Sequence, residues 1–371
     1  MAGRSTGKLS RSSMTGGGSV TLTIKAENSG FTHKYKLSFG TGMETSTTDV
    51  AAGVETVSIS IPENWSSQIP NAEQKTGGTL TLDTYNGSTL IGTYTISGLT
   101  YKVPESAVPE IGTISKAVAR TIGETTYANV GDYYVQNHSG VTAGAAATGA
   151  LGSTISSMKI EIAGYSGEDY NKTVSSGSIS LTSGLLTISG ETVITVTATD
   201  SRGRKEIKQT TITVTPYVTP NGTLEVYRVD ENEDPDKLGT YGWYVITANY
   251  TEVGSNSLTK TLTSQGDSAE PEDDSGTLLP DDEQTFDIDQ EYAVSLTLQD
   301  AFETVTINDV IPKAKFIIYV NAAGDQIGFM KEPDQSIPEG KDGTIEFSAD
   351  HQIYIGNETL EDYIRSIVNA M

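Results

Sequence analysis

Period-two alternation constrains this chain more than any other feature of its sequence. Ser19–Ala26 sets Val20, Leu22 and Ile24 on one side, Lys34–Phe39 sets Tyr35, Leu37 and Phe39, and Val54–Ile61 sets Val57, Ile59 and Ile61. Successive side chains of a strand point to opposite faces, so each run offers one apolar and one polar face. The runs are rich in branched and aromatic residues and are bounded by Gly, Pro, Asn and Asp, which predicts half-buried strands. Threonine is frequent because its branched side chain fits a pleated, half-exposed surface. Helical periodicity is nearly absent before Thr359.

A second regularity groups the strands. Gly78–Gly87 followed by Thr93–Ile96 and Pro104, Val193–Gly203 followed by Thr210–Thr215 and Pro216, and Tyr292–Asp300 followed by Thr304–Ile307 and Pro312 share one pattern. Each reads as a strand, a polar turn opened by Asp, a second strand and a proline, which describes a β-hairpin closing a domain. Asp83, Asp200 and Asp300 are expected to bond backbone N–H groups of their own turns. They lie about 100 residues apart, the size of one immunoglobulin-like sandwich. The expected fold is therefore all-β: tandem immunoglobulin-like β-sandwiches over 1–107, 108–217 and 218–312. Val103–Pro109 and Thr215–Pro220 are short, semi-stiff, proline-marked links.

Residues 313–371 differ. Lys315–Val320, Gln326–Met330, Thr344–Phe347 and Gln352–Ile355 read as short strands, and Thr359 with Asp362 has capping-box spacing for a terminal helix. Leu360, Tyr363, Ile364, Ile367 and Val368 would form one apolar stripe on that helix. A segment with so few apolar residues needs a partner, so the stripe is the candidate oligomerisation or tip element.

Charge divides the chain unequally. Of the formal net charge of −24, residues 218–312 carry −18, with 3 basic and 21 acidic side chains; residues 1–107 are neutral and 108–217 carry −1. Runs such as Asp230–Asp236 and Glu270–Asp289 read as solvated loops. Such acidity argues against a nucleic-acid partner, because phosphate contacts need clustered Lys and Arg. No apolar run is long enough to span a membrane, and Arg4, Lys8 and Arg11 are not followed by the apolar core of a secretory signal. The chain has no cysteine, so disulfides, thiolate catalysis and zinc–thiolate sites are excluded.

No constellation for catalysis emerges. His33, His138 and His351 fall in different segments without metal-ligand spacing. Gly3-Arg-Ser5-Thr-Gly7 matches the nucleophile-elbow string, but that motif works only on a strained strand-to-helix turn of an α/β sheet. Asp230, Asn232 and Asp234 alternate hard oxygens as in the first half of a calcium loop. Pro235 stands where such a loop needs glycine, which favours a solvated hairpin; Ca²⁺ is the one cofactor considered. Tyr133, Tyr134, Tyr165 and Tyr170 are candidates for stacking on sugar rings and equally read as sheet-surface tyrosines. Trp243, in the strand run Tyr241-Gly-Trp-Tyr244, is read as a core residue in preference to a ligand platform.

Ile69-Pro70-Asn71 with Thr79–Gly92 resembles the first module of minor structural proteins of siphophages that infect Gram-positive bacteria. Tyr217–Tyr241 resembles a later module of the same family, and Gly324–Gly328 with Ile353–Ile364 is similar to phage tail-fibre C-termini. The resemblance implies a non-enzymatic virion part, synthesised and assembled in the host cytoplasm. The expected role is a tail-associated fibre or baseplate appendage that contributes to host attachment. Its expected partners are other virion proteins, further copies of itself with a trimer as the working stoichiometry, and a host cell-surface polysaccharide. A capsid decoration or head fibre is the alternative role, and a carbohydrate-active enzyme a more distant one.

Overall fold

The computed structural model describes residues 3–278 and 285–314, and in the remainder residues 319–320, 327–329, 345–347, 354–355, 358–359, 362, 365, 368 and 369. The chain divides into two compact units, Met1–Tyr217 with Val253–Ser255, and Val218–Glu252 with Asn256–Met371. The fold is all-β, built of immunoglobulin-like sandwiches.

The first unit contains two sandwiches. In the first of them, β1 (Thr6–Leu9), β3 (Ser19–Lys25) and β6 (Thr56–Ser60) form one sheet in the order β1-β3-β6. The other sheet runs β2-β8-β7-β4-β5, from β2 (Ser13–Thr15), β4 (Thr32–Ser38), β5 (Thr48–Val50), β7 (Gln74–Asn86) and β8 (Thr89–Lys102). Alternation works as expected: in β3, Val20, Leu22 and Ile24 are buried and every residue between them is exposed. They meet Leu37, Leu80 and Leu82 of the facing sheet. Each fully buried aliphatic side chain of this kind contributes about 1.5–3 kcal/mol. A short 3₁₀ helix, Glu63–Gln68, closes the end of this core. It inserts Trp65, whose ring packs 5.9 Å from Phe39 and 5.8 Å from Tyr101. Gly78 is required here, because the Phe39 ring occupies the space a Cβ would take.

In the second sandwich one sheet is β10-β14-β17, from β10 (Ser115–Ala119), β14 (Gly140–Thr148) and β17 (Ser178–Thr182), with β9 (Glu110–Ile111) also pairing β14. A small ribbon joins β11 (Thr121–Ile122) to β12 (Thr125–Thr126). The second sheet is β13-β19-β18-β15-β16, from β13 (Tyr134–Val135), β15 (Ile155–Ile162), β16 (Asn171–Val174), β18 (Gly190–Asp200) and β19 (Lys205–Thr215). Its core runs from Ile111 to Val214 and is separate from the first, which runs from Leu9 to Ala107.

The second unit holds a third sandwich around Leu224–Ile311. One sheet is β20-β21-β24, from β20 (Asn221–Val229), β21 (Tyr241–Asn249) and β24 (Ser275–Leu278). The other is β23-β22-β25-β26, from β22 (Thr259–Ser264), β23 (Asp267–Ala269), β25 (Tyr292–Gln299) and β26 (Thr304–Ile311). Beyond it, Tyr319–Val320, Ile327–Phe329 and Ile345–Phe347 form a small sheet, and Tyr354–Ile355 pairs with Glu358–Thr359. Of the proposed apolar stripe, Leu360, Tyr363, Ile364 and Ile367 lie outside the described residues; Val368 is helical and exposed.

Two sequence expectations are corrected. Asp83 does not open a turn. It lies within β7, three residues before the Asn86-Gly87 turn, and its carboxylate accepts the Thr93 hydroxyl across the hairpin. Gly87, at φ 58°, supplies the left-handed residue that the reversal needs. Trp243 is not a core residue: Gly242, Tyr244 and Ile246 face the core, so Trp243 lies on the opposite face of β21, half-buried.

Candidate functional site

The most heavily bonded polar cluster of the first unit is the turn Asp200-Ser201-Arg202-Gly203-Arg204, between β18 and β19. Two long strands pair along their whole length and must reverse in four residues, and Gly203 takes φ 89° to allow it. Asp200 organises the reversal, its Oδ1 accepting the N–H of Arg202 at 3.0 Å and of Arg204 at 2.8 Å. This is the turn-bonding role expected of it. Asp300 does the same for Phe302 and Glu303.

The turn presents Arg202 and Arg204 to the first sandwich. Arg202, 8% exposed, donates through Nε to the Ile69 carbonyl and through Nη2 to that of Ser66 at 2.8 Å. These oxygens lie at the carbonyl end of the 3₁₀ helix that holds Trp65, where the backbone dipole favours a cation. The same guanidinium donates through Nη1 to the Ala150 carbonyl and through Nη2 to that of Leu151, both at 2.7 Å. One side chain therefore ties together backbone from both sandwiches. Arg204 adds an ion pair to Glu73 at 3.1 Å and bonds to the carbonyls of Val103, Pro104 and Ala107, the segment linking the two sandwiches. Ser201 donates to the Pro70 carbonyl.

Apolar packing backs the polar bonds. Ala150 and Leu151, on a loop of the second sandwich, pack against the core of the first. Gly152 approaches so closely that a Cβ would lie 2.8 Å from the Cα of Ser67. Burial holds the Arg202 guanidinium below the usual arginine range, helped by the neighbouring Arg204, while the Asp200 carboxylate opposes the shift. Asp200 Oδ2 is buried without a hydrogen bond, so this carboxylate serves Arg202 as a counter-charge. A polar cleft of about 700 Å³ opens beside the joint, lined among others by Glu73, Lys102, Glu105, Arg204 and Lys205.

The other sequence candidates separate into structural roles. Ser5 and His33 meet as a buried pair, Oγ to Nε2 at 2.9 Å. Both side chains are closed off from solvent, Ser5 Oγ also accepts the Glu27 N–H, and His33 Nδ1 has no partner. A Ser–His pair acting on a substrate needs access and a group orienting the imidazole, and this pair has neither. Burial lowers the pKa of His33. His138 packs edge-on against Tyr127 and Tyr217; His351 lies outside the described residues.

The loop at Asp230 is bonded within itself. Asp230 Oδ1 accepts the N–H of Asn232 at 2.8 Å and of Asp234 at 3.0 Å, and these bonds hold its carboxyl below the usual carboxylate range. Among the described residues no group of three His, Asp or Glu side chains could hold a metal ion. Tyr165 and Tyr170 stack on each other at 4.6 Å, their hydroxyls bonded to the backbone of Ile188 and Leu185. Tyr134 is half-buried and packs against the core, whereas Tyr133 is half-exposed. The sequence reading missed Arg202; its only signal was a pair of arginines in a turn of four polar residues and a glycine.

Comparison with known proteins adds a family and a set of similar folds. The family model described as "Siphovirus protein of unknown function (DUF859)" matches residues 3–238. No curated protein matches the chain. Similar solved structures include a Ca²⁺-stabilised adhesin with which an Antarctic bacterium binds ice (15% identity, TM-score 0.33, covering 88% of this chain and 79% of that one). A 1.5-MDa bacterial ice-binding adhesin shares 16% identity at TM-score 0.35, over 81% of this chain and 93% of the other. Cadherin domains 3–6 of protocadherin gamma B2 share 13% identity at TM-score 0.38, over 86% and 78%. Among the described residues no helix is long and apolar enough to cross a membrane.

Proposed function

The chain belongs to this siphovirus family of unknown function, and we propose on that footing that it is a structural part of the virion: a tail-associated fibre or baseplate appendage that contributes to host attachment. The observation that carries this reading is the Arg202 joint. A spacer that holds a contact surface away from a particle must resist bending where its domains meet. Here one buried guanidinium, an apolar plug and a second bonded arginine fix two sandwiches together.

Self-association through the terminal segment, as a trimer, belongs to the same reading, and light scattering of the purified chain tests it. Immunogold labelling of intact virions tests the placement. Gold on the tail or its tip is the expected result, and gold on the head would overturn the proposal in favour of a capsid decoration. Incubation with purified host cell wall tests the absence of catalysis; released reducing sugar would contradict it.

A further inference from the structure

The third sandwich carries a second buried arginine, and beside it lies a cleft that the proposed role does not account for. Strand parity puts Val226 and Arg228 of β20 on the core side and Tyr227 on the outer face. Tyr227 stands directly opposite Trp243 in the β20–β21 register, and Trp243 opposite Thr277 of β24. Directly paired residues have Cβ atoms about 5 Å apart, so the two aromatic side chains form one strip. Val245 and Tyr241 continue it along β21, both half-buried. The acidic loop leans onto the same face, where Thr277 donates to the Glu233 carboxylate.

At the β20 edge this strip opens into a cleft of about 620 Å³, within the range of small-ligand sites. Tyr227, Pro235 and Pro312 supply flat apolar surface, and Asp236, Lys237 and Lys313 supply charge. The charge is not what the surroundings predict. Up to Ala314 this unit has four basic side chains, Arg228, Lys237, Lys260 and Lys313, and three of them line this one cleft. Arg228 spends its donors on five carbonyls and contributes only its charge. No hydrogen bond or ion pair to another described residue occupies the ammonium groups of Lys237 and Lys313.

We propose that this cleft, with the Tyr227–Trp243 strip leading into it, binds a short stretch of glycan that carries an acidic group. The apolar C–H face of a sugar ring stacks on Tyr and Trp, Asp236 accepts sugar hydroxyls, and Lys237 and Lys313 receive the acid. Charges beyond about one Debye length, roughly 8 Å at physiological salt, are screened. The cleft lining itself is three basic groups against one acid, Asp236, so an anion seated between Lys237 and Lys313 is held there although the rest of the 230–236 loop is acidic and close by. Ligands with a charge on every unit, nucleic acid among them, meet the surrounding acidity along their length and are disfavoured. The proposal rests on the attachment reading and gives it a ligand class.

The test titrates the full chain, by calorimetry and by tryptophan fluorescence, with three probes. They are an oligomannose bearing one mannose 6-phosphate, a neutral hexasaccharide capped by one glucuronic acid, and maltohexaose. The expected result is binding of at least one acidic probe, at least ten-fold tighter than maltohexaose, with a change in tryptophan emission and weakening at high salt. Comparing the first two probes distinguishes phosphate from carboxylate. K237E/K313E should lower that affinity at least ten-fold, and W243A should remove the fluorescence response while leaving a melting transition for the unit. Absence of binding by both acidic probes, equal binding of maltohexaose, or unchanged affinity in K237E/K313E would each overturn the proposal. Immunogold on the tail with no glycan binding would sink this site and leave the attachment reading standing. Gold on the head with glycan binding would do the reverse.

Discussion

Arg202 and Arg228 are both buried guanidiniums bonded to backbone carbonyls, yet they hold different things. Arg228 lies within one sandwich: its Nε donates to Pro312, Nη1 to Gly239 and Phe286, and Nη2 to Asp287 and Gln290. All five donors of the group are used, and they gather a strand, a loop and the end of β26 into one fold. Arg202 divides its donors between two sandwiches, with Ser66 and Ile69 on one side and Ala150 and Leu151 on the other. In both cases burial pushes the arginine pKa down. Arg202 has the Asp200 carboxylate of its own turn opposing that shift, and Arg228 has Tyr292 and Asp287. The same chemistry therefore serves internal folding in one place and domain coupling in the other.

Arg228→Met should have the largest effect. It leaves several carbonyls without their donors and should destabilise the second unit by about 4 kcal/mol. Urea unfolding should show an early transition for that unit while the first unit melts at its usual midpoint. A single small shift would mean that Arg228 is not the clasp of the sandwich. Arg202→Met should cost about 2 kcal/mol, and it should also separate two events. The two sandwiches of the first unit, unfolding together in the native chain, should give two calorimetric transitions in the variant. Two transitions already present in the native chain would contradict the coupling.

The turn aspartates sharpen the comparison at lower energy. Asp200→Ala removes the acceptor of two turn N–H groups and the counter-charge of Arg202, and should cost about 1–2 kcal/mol. Asp83→Ala removes one partly exposed hydroxyl contact and should change stability by less than about 0.5 kcal/mol. Equal effects would show that the two hairpins are built alike after all. The smallest effect is that of pH on His33. Burial depresses its folded pKa below the usual 6.5, so the unfolded chain binds a proton more readily. The stability it contributes is complete above pH 6.5 and is lost as pH falls towards the folded value. Melting of the first unit should decline below pH 6.5, and His33→Gln should flatten that decline.

These pairs also show what alternation reveals and what it hides. Val20, Leu22 and Ile24 were legible as core because period two and chemical type agree. Arg228 was not, because parity puts it on the core face while its charge argues for solvent; only five converging carbonyls reconcile the two. Trp243 failed for the same reason in reverse, its chemistry pointing inward and its parity outward. Asp200 and Asp300 were readable from Asp placed just before a tight reversal. Asp83 misled because Asn86-Gly87, three residues later, is the stronger turn signal. The joint itself was hidden, since Arg202 finds its partners at Ser66 and Ile69, more than 130 residues away, and no local pattern encodes that distance.

Arg202 ties the first two sandwiches together, and that coupling can be read as a distance. The chain has no cysteine, so spin labels can be placed cleanly at Val54→Cys and Ile207→Cys, both exposed and one on each sandwich. Pulsed electron–electron double resonance should give one narrow distance distribution in the otherwise native chain and a broad one when Arg202→Met is added. A broad distribution in the native chain, or a narrow one that survives Arg202→Met, would contradict the account.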